Sequence, residues 1–443
     1  MKIKLSDHFT YSKLLRFVFP SIIMMVFTSI YGVVDGLFVS NFAGKTAFAS
    51  INLVMPFVMI LGGIGFMIGT GGTALVSKVL GEGKKEKANE IFTMMIIFTL
   101  LLGALLSVIG VISMPWVAKF LGATEEMMVD CVLYGRIVTG FTVAFMLQNV
   151  FQSFLIAAEK PKLGLLATVL AGIANMALDA IFIIVFKWGV AGAAIATGLS
   201  QCVGGIFPLI YFSRKNSSLL RLTKTKLEIK PILNSCGNGS SELMSNISSS
   251  VVSMIYNFQL MKYVGEDGVS AYGVLMYVQF IFVAIYIGYA IGCAPITGYH
   301  FGARNHNELK NMLRKSSFLS AVSGVVLTIL AIALSSPLAK IFVGYDEELY
   351  ELTRHAFRLF AYSFLLAGFN IFTSSFFTAL NNGAVSAAIS FMRTLIFQTS
   401  SVLILPMFLG VDGIWWAITV AEVFAFILSL IFIFAKRKKY NYI

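Results

Sequence analysis

Charge is what this 443-residue chain has least of: charged residues make up 12% of it, with 21 acids in all. A soluble globular protein carries about 25%. A soluble domain of this length, and with it most soluble enzymes, is excluded. Cysteine is as sparse. Cys131, Cys202, Cys236 and Cys293 lie far apart, with no C-x-x-C, and His8, His300, His306 and His355 are equally scattered. Neither a zinc site nor a disulfide framework is expected, and the cysteines read as small packing residues in helices. No nucleotide-binding signature is present. The glycine-rich run Gly62–Gly72 lacks the Lys-Ser/Thr of a phosphate loop and sits inside an apolar stretch. It reads as small residues that let helices pack closely, and ATP is not expected to drive this chain. No metal motif or nucleophile–base spacing supports an enzyme. The basic N-terminus (Lys2, Lys4, Lys13, Arg16) lacks an A-x-A-like cleavage site, and its apolar stretch runs to about Ser40. That is too long for a signal peptide, so it reads as a retained first helix.

What is present in quantity is apolar surface. Hydrophobic residues make up 58% and mean hydropathy is +0.85. The expected fold is an all-α polytopic membrane protein. Twelve apolar runs are long enough to span, since about 20 residues suffice: 14–40, 47–77, 91–118, 128–157, 162–186, 189–213, 232–262, 268–299, 312–336, 352–380, 385–408 and 412–435. The net charge of +12 is better explained by loop bias than by a nucleic-acid partner, which is not expected. With the N-terminus inside, the inner segments hold 24 lysines and arginines. The outer loops hold five: Lys45, Lys119, Lys187, Lys262 and Lys340. That asymmetry places both termini in the cytoplasm.

The chain repeats itself. Ser153-Phe154 recurs as Ser375-Phe376, Leu80-Gly81 as Phe301-Gly302, and Gly189-Val190-x-Gly192 as Gly410-Val411-x-Gly413. The offset is always 221 or 222 residues. Such periodicity marks an internal repeat: residues 1–213 as one six-helix half, 214–231 as a basic cytoplasmic linker, and 232–443 as the second half. Each half has an even number of spans, so the two are parallel. Parallel halves about an axis normal to the membrane are a transporter architecture.

Four acids fall inside apolar runs: Asp35, Asp179, Glu242 and Glu422. A charge at mid-membrane costs about 2.5–3.5 kcal/mol on insertion scales, which makes each a functional candidate. Asp35 and Asp179 lie at similar heights in the outer half, Asn175 is one turn from Asp179, and Thr197 reaches a comparable level. Two carboxylates, an amide and a hydroxyl make an oxygen-rich pocket suited to a hard cation such as Na⁺ or to a proton. Glu242 is expected at the start of its helix near the inner face, where an acid favours the helix N-terminus. Glu422 fits a second site or a helix contact. Arg136 and Arg393 are expected to snorkel from near helix ends. Forty Phe, sixteen Tyr and twenty Met form an adaptable apolar inventory. Of the polar and aromatic residues among them, Tyr31, Asn149, Gln152, Tyr256 and Gln259 are expected to line a substrate chamber.

These features together carry a resemblance: Phe19-Pro20…Asp35-Gly-Leu-Phe-Val-Ser, Leu80-Gly81-Glu-Gly83, Asn175-x-x-x-Asp179 and Gly189-Val-x-Gly192-Ala-Ala-Ile-Ala-Thr197. The chain resembles the multidrug and toxic compound extrusion (MATE) family over nearly its whole length, most closely the DinF/MepA-like branch. The resemblance implies a cation-coupled multidrug antiporter of the bacterial inner membrane, acting on amphipathic cationic drugs among membrane lipids and working as a monomer. It implies a cation site at Asp35, Asn175, Asp179 and Thr197, with Tyr31, Tyr134, Asn149 and Gln152 in the adjoining cavity. The coupling ion is H⁺ or Na⁺, and no other cofactor is expected. The NorM-like branch also uses acids deep in helices 7 and 10, a pattern this chain lacks by the reading above. The alternative is a lipid-linked saccharide flippase of the same wider superfamily. It would need basic cavity residues for a pyrophosphate, and the cavity acids oppose that.

Overall fold

The computed structural model describes residues 3–442, apart from the side chains of Leu37, Ser40 and Lys45. Among these residues every regular element is a helix. The first half contains α1 (Tyr11–Phe42), α2 (Lys45–Gly81), α3 (Lys85–Phe120), α4 (Glu125–Gly140), α5 (Thr142–Ala157), α6 (Pro161–Asp179) and α7 (Gly189–Ser213). The second contains α8 (Ile229–Tyr263), α9 (Glu266–Gly302), α10 (His306–Val343), α11 (Glu347–Phe360), α12 (Phe364–Ala379), α13 (Gly383–Phe391), α14 (Gln398–Ile404), α15 (Pro406–Leu409) and α16 (Val411–Tyr440). Ten spans are long and apolar enough to cross a membrane, and the bent pair α4–α5 makes an eleventh. The remaining long helix, α8, is rich in Ser and Asn because it turns Ser235, Asn238, Ser241 and Ser248 toward neighbouring helices rather than lipid. The protein is a multi-pass membrane protein.

Four expected runs, 128–157, 162–186, 352–380 and 385–408, are not single α-helices. Run 128–157 breaks at Phe141, where α4 and α5 meet with a bend of 54°. The bend frees backbone carbonyls that would otherwise lack donors. Thr142 Oγ1 donates to the Thr139 carbonyl at 2.7 Å, and the Ser107 hydroxyl reaches the Thr139 and Gly140 carbonyls at 2.8 and 3.1 Å. Run 385–408 is α13 to α15, interrupted by a π-helical segment at Met392–Phe397. A second π segment, Ala180–Val185, follows Asp179 directly. π segments widen a helix locally and concentrate at functional sites.

The repeat is visible in the packing. Lys45 and Glu266, which open α2 and α9, are 221 residues apart, as are Gly81 and Gly302, which close them. These two glycines bring the helices into backbone contact. A Cβ on Gly81 would stand 1.9 Å from the Tyr299 carbonyl oxygen, and one on Gly302 1.9 Å from that of Lys78. The reciprocity is what a pseudo-two-fold axis between the halves requires. Helices α2 and α8 cross as tightly: a Cβ on Gly71 would meet the Ser235 carbonyl oxygen at 1.9 Å, and one on Gly239 that of Met67 at 2.0 Å. In the same run Gly65 packs on the Met146 backbone and Gly69 on that of Val150. The glycine-rich run thus serves helix packing.

Both termini, the linker and the short basic turns lie at one end of the bundle, hereafter the basic end. It is closed. Leu5 and Phe9 are fully buried there, and their amides donate to Glu159 Oε1 at 2.8 Å and Glu308 Oε1 at 3.0 Å. The linker is docked rather than loose. Leu220 is buried, and the Arg221 and Thr223 amides donate to Asn89 Oδ1 and Thr93 Oγ1 on α3 at 3.0 and 2.9 Å.

Candidate functional site

Asp35 lies on α1 about two turns before its end at Phe42, and Asp179 is the last residue of α6. The structure brings the two carboxylates within hydrogen-bonding reach of each other, away from the basic end. Asp179 is 0% exposed and Asn175, one turn earlier on the same face, 2%. Tyr134 on α4 faces both acids and sets its hydroxyl beside Thr197 of α7. Tyr31, one turn before Asp35, lies against Gln148 of α5. The absence of a side chain at Gly172 makes room for the rings of Phe27 and Tyr31.

The chemistry of this pocket is set by what it lacks. Asp35 Oδ1, Asn175 Oδ1, both Asp179 oxygens and Thr197 Oγ1 are buried without a hydrogen-bond partner. An ionised carboxylate only accepts, so two facing carboxylates cannot satisfy each other unless they share a proton. Leaving such oxygens buried and unmatched is costly. A hard cation or a proton matches this donor set, and among the described residues no lysine or arginine makes an ion pair with either acid. No cluster of three or more His, Cys, Asp or Glu side chains able to hold a metal occurs among the described residues.

The expected chamber residues come from four helices, α1, α4, α5 and α8. Tyr31 and Tyr134 join the acid pair. Asn149 is committed to α2, donating to the Gly62 carbonyl at 3.0 Å, and Gln152, one turn on, keeps Oε1 unpaired. Tyr256 and Gln259 lie across the interface on α8, where the Tyr256 ring stacks on Tyr272 at 5.0 Å. Their polar tips, Tyr256 OH and Gln259 Oε1, have no partner. Gln148 is a pocket residue that sequence reasoning misses. Its one-turn spacing from Gln152 on a single helix face is the available signal.

Two expectations are corrected. Glu242 does not start its helix. It lies more than three turns inside α8, which begins at Ile229, so helix N-terminal stabilisation has no part in its placement. Arg393 does not snorkel. Its Nε donates to both Glu422 oxygens, at 2.9 and 3.0 Å, and a terminal nitrogen reaches Oε1 at 2.7 Å. Asn370 Nδ2 adds a 2.7 Å bond to Glu422 Oε2, and Ser429 donates to Asn370 Oδ1. The pairing is favoured because Glu422 is 2% exposed and a buried carboxylate needs a counter-charge. Glu422 is thus a helix contact. Arg136 is exposed and donates to the Val111 carbonyl at 3.2 Å.

Comparison with known proteins places this architecture. The MatE family model matches residues 20–181 and 243–401. The multidrug export protein MepA of Staphylococcus haemolyticus (strain JCSC1435) is 24% identical over 432 residues, covering 97% of this chain and 94% of that protein. MepA of Staphylococcus aureus (strain MSSA476) is 23% identical over 437 residues, with the same coverage. A solved outward-facing structure of a multidrug resistance MATE family transporter of the MOP superfamily superposes with a TM-score of 0.92 at 22% identity, covering 98% of this chain and 97% of that one.

Proposed function

The chain belongs to the MatE family, and on that premise we propose that it is a multidrug efflux antiporter. In this reading it exports amphipathic organic cations in exchange for inward H⁺ or Na⁺. The observation that carries the coupling is the set of unpartnered oxygens on Asp35, Asn175, Asp179 and Thr197. The full-length match to proteins named as multidrug exporters supports the substrate class. Tyr31, Tyr134, Asn149 and Gln152, with Tyr256 and Gln259 opposite, offer aromatic and amide surface to the substrate. The basic end faces the cytoplasm of a bacterial inner membrane, by the bias of its lysines and arginines, and the chain works as a monomer.

The mechanism is alternating access. Open outward, the acid pair gives up the drug and takes a cation. The neutralised pocket lets the halves rock, and the cation leaves at the basic end. The membrane potential supplies about 2.3 kcal/mol per charge per 100 mV whenever the exchange carries net positive charge inward.

One pocket serving both ligands makes them antagonists, and linkage makes the antagonism mutual. Affinity of the purified protein for a cationic aromatic dye should fall as Na⁺ replaces K⁺, or as pH drops through the carboxylate titration. Ionic strength is held constant, because screening also weakens dye binding. The effect should vanish in the Asp35→Asn, Asp179→Asn double variant. Dye affinity indifferent to both ions in the wild type would reject the coupling site.

A further inference from the structure

Loop bias accounts for the sign of the linker's charge but not for its shape. Orientation needs only lysines and arginines near the membrane, in any conformation. Residues 214–230 carry Arg214, Lys215, Arg221, Lys224, Lys226 and Lys230 against one acid, Glu228, and the segment is fastened down. Leu220 is buried, and Asn89 and Thr93, both buried on α3, hold the Arg221 and Thr223 amides. The Leu222 amide donates to the Phe212 carbonyl at 3.4 Å. Exposure then alternates. Thr223 and Thr225 are half-buried and Lys224 and Lys226 exposed, the period of an extended chain. The two lysines are presented on one outward side.

Two further observations say what this side meets. The charges are available: Glu228 is taken by Lys87 at 3.4 Å, and no acid pairs with Arg221, Lys224, Lys226 or Lys230 among the described residues. The row also runs into exposed apolar surface. Leu227, Ile229 and Leu233 are 51%, 74% and 64% exposed, and Ile229 and Leu233 stand one turn apart at the start of α8. Cations beside an apolar seat fit a ligand in which a phosphate is joined to a hydrocarbon chain. A free phosphate has no chain to place there, and a nucleic acid offers none either.

We propose that the docked linker is a binding surface for anionic phospholipids of the inner leaflet. Lys224, Lys226 and Lys230 meet the headgroup phosphate, and Leu227, Ile229 and Leu233 meet the acyl chain. This assignment rests on the reading above that the basic end faces the cytoplasm, and is independent of the coupling ion. Docking on α3 contributes preorganisation: a fixed array has less freedom to lose on binding than a loose tether.

The test uses the purified full chain in a neutral detergent. Phosphatidylglycerol and phosphatidylcholine with the same acyl chains are titrated separately, and bound lipid is counted on the intact protein by native mass spectrometry. The wild type should prefer phosphatidylglycerol several-fold. The preference should shrink as ammonium acetate rises from about 0.1 to about 0.5 M, because screening shortens the reach of the lysines. The triple variant Lys224→Gln, Lys226→Gln, Lys230→Gln should lower affinity for phosphatidylglycerol at least about tenfold, given the attraction each lysine has for an anionic headgroup, and leave phosphatidylcholine unchanged. The control triple Arg437→Gln, Lys438→Gln, Lys439→Gln removes the same charge from exposed positions at the end of α16, and should stay within about twofold of wild type. No preference in the wild type overturns the lipid surface. Equal loss in the two triples overturns it too, since net charge alone then explains the binding. Glycerol phosphate that displaces the lipid at equal concentration overturns the apolar seat and leaves a site for a soluble anion. Orientation is read separately. With the native cysteines replaced by serine, Lys224→Cys should react with a membrane-impermeant maleimide in inside-out vesicles and not in right-side-out ones. The reverse pattern rejects the orientation itself, and with it the inner leaflet, whatever the lipid titration in detergent gives.

Discussion

At the residue scale, buried acids in this protein meet two fates. Glu422 is saturated from within by Arg393 and Asn370. Asp35 and Asp179 face each other with oxygens unmatched. A saturated pair is a stability element, and breaking one partner leaves an uncompensated charge at about 3–5 kcal/mol. Arg393→Gln should therefore lower the melting temperature sharply, and adding Glu422→Gln should recover most of the loss. A double variant less stable than the single one would show that the pair is not a closed unit. Asp35→Asn and Asp179→Asn should behave oppositely, each abolishing drug resistance in cells while expression and melting temperature hold, because neither acid has a partner to strand. Resistance preserved when both are replaced would remove them from the mechanism. Depth along an apolar run is enough to single out Asp35 and Asp179. It is not enough for Arg393, because the partner that holds it lies on another helix 29 residues away.

At the scale of elements, small residues decide which helices touch. Helices α2 and α8 approach through Gly71 and Gly239, where neither backbone leaves space for a methyl group. Gly239→Ala puts a Cβ 2.0 Å from the Met67 carbonyl oxygen, and the clash is with backbone, which yields poorly. Overpacking of this kind costs typically about 1–3 kcal/mol. The variant should melt earlier in detergent. Alanine at Gly237, where a Cβ would have nothing within 4 Å, should be neutral. Equal melting of the two would mean that the α2–α8 crossing does not limit stability. The sequence shows glycines in a row and their packing role is readable there. Which helix each one meets is not, since that depends on how the halves are turned about their axis. Helix α8 misleads for a related reason. Ser235, Asn238, Ser241 and Ser248 are buried against neighbouring helices, and Glu242 stands inside the helix on the wall of a cavity rather than at a helix end.

At the scale of the whole molecule, the twelve apolar runs and the 221-residue offset already imply two equivalent halves, but not which end of the bundle is shut. The structure closes the basic end where the last turns of α2 and α9 cross. Gly81 and Gly302 make that closure, each against the other helix's backbone. The alternating access proposed above would require this crossing to separate once per cycle, which makes it a place where an equilibrium between states can be pushed. Gly302→Val inserts a branched side chain where a Cβ alone would stand 1.9 Å from the Lys78 carbonyl oxygen. The closed state loses stability, and a state parted at this end does not. Ser77 reports the difference: it is 0% exposed, and a Cβ on Gly298 of α9 would lie 3.1 Å from its own Cβ. With the four native cysteines replaced by serine, a cysteine at position 77 should react slowly with a membrane-impermeant maleimide applied to inside-out vesicles. In Gly302→Val it should react several-fold faster, since about 1.4 kcal/mol of bias shifts a two-state ratio tenfold. Gly302→Ala should give an intermediate rate, because a smaller intrusion shifts the balance less. Labelling that stays slow in both variants, with dye binding intact, would mean that the α2–α9 crossing travels as a rigid joint and that the inner barrier opens elsewhere.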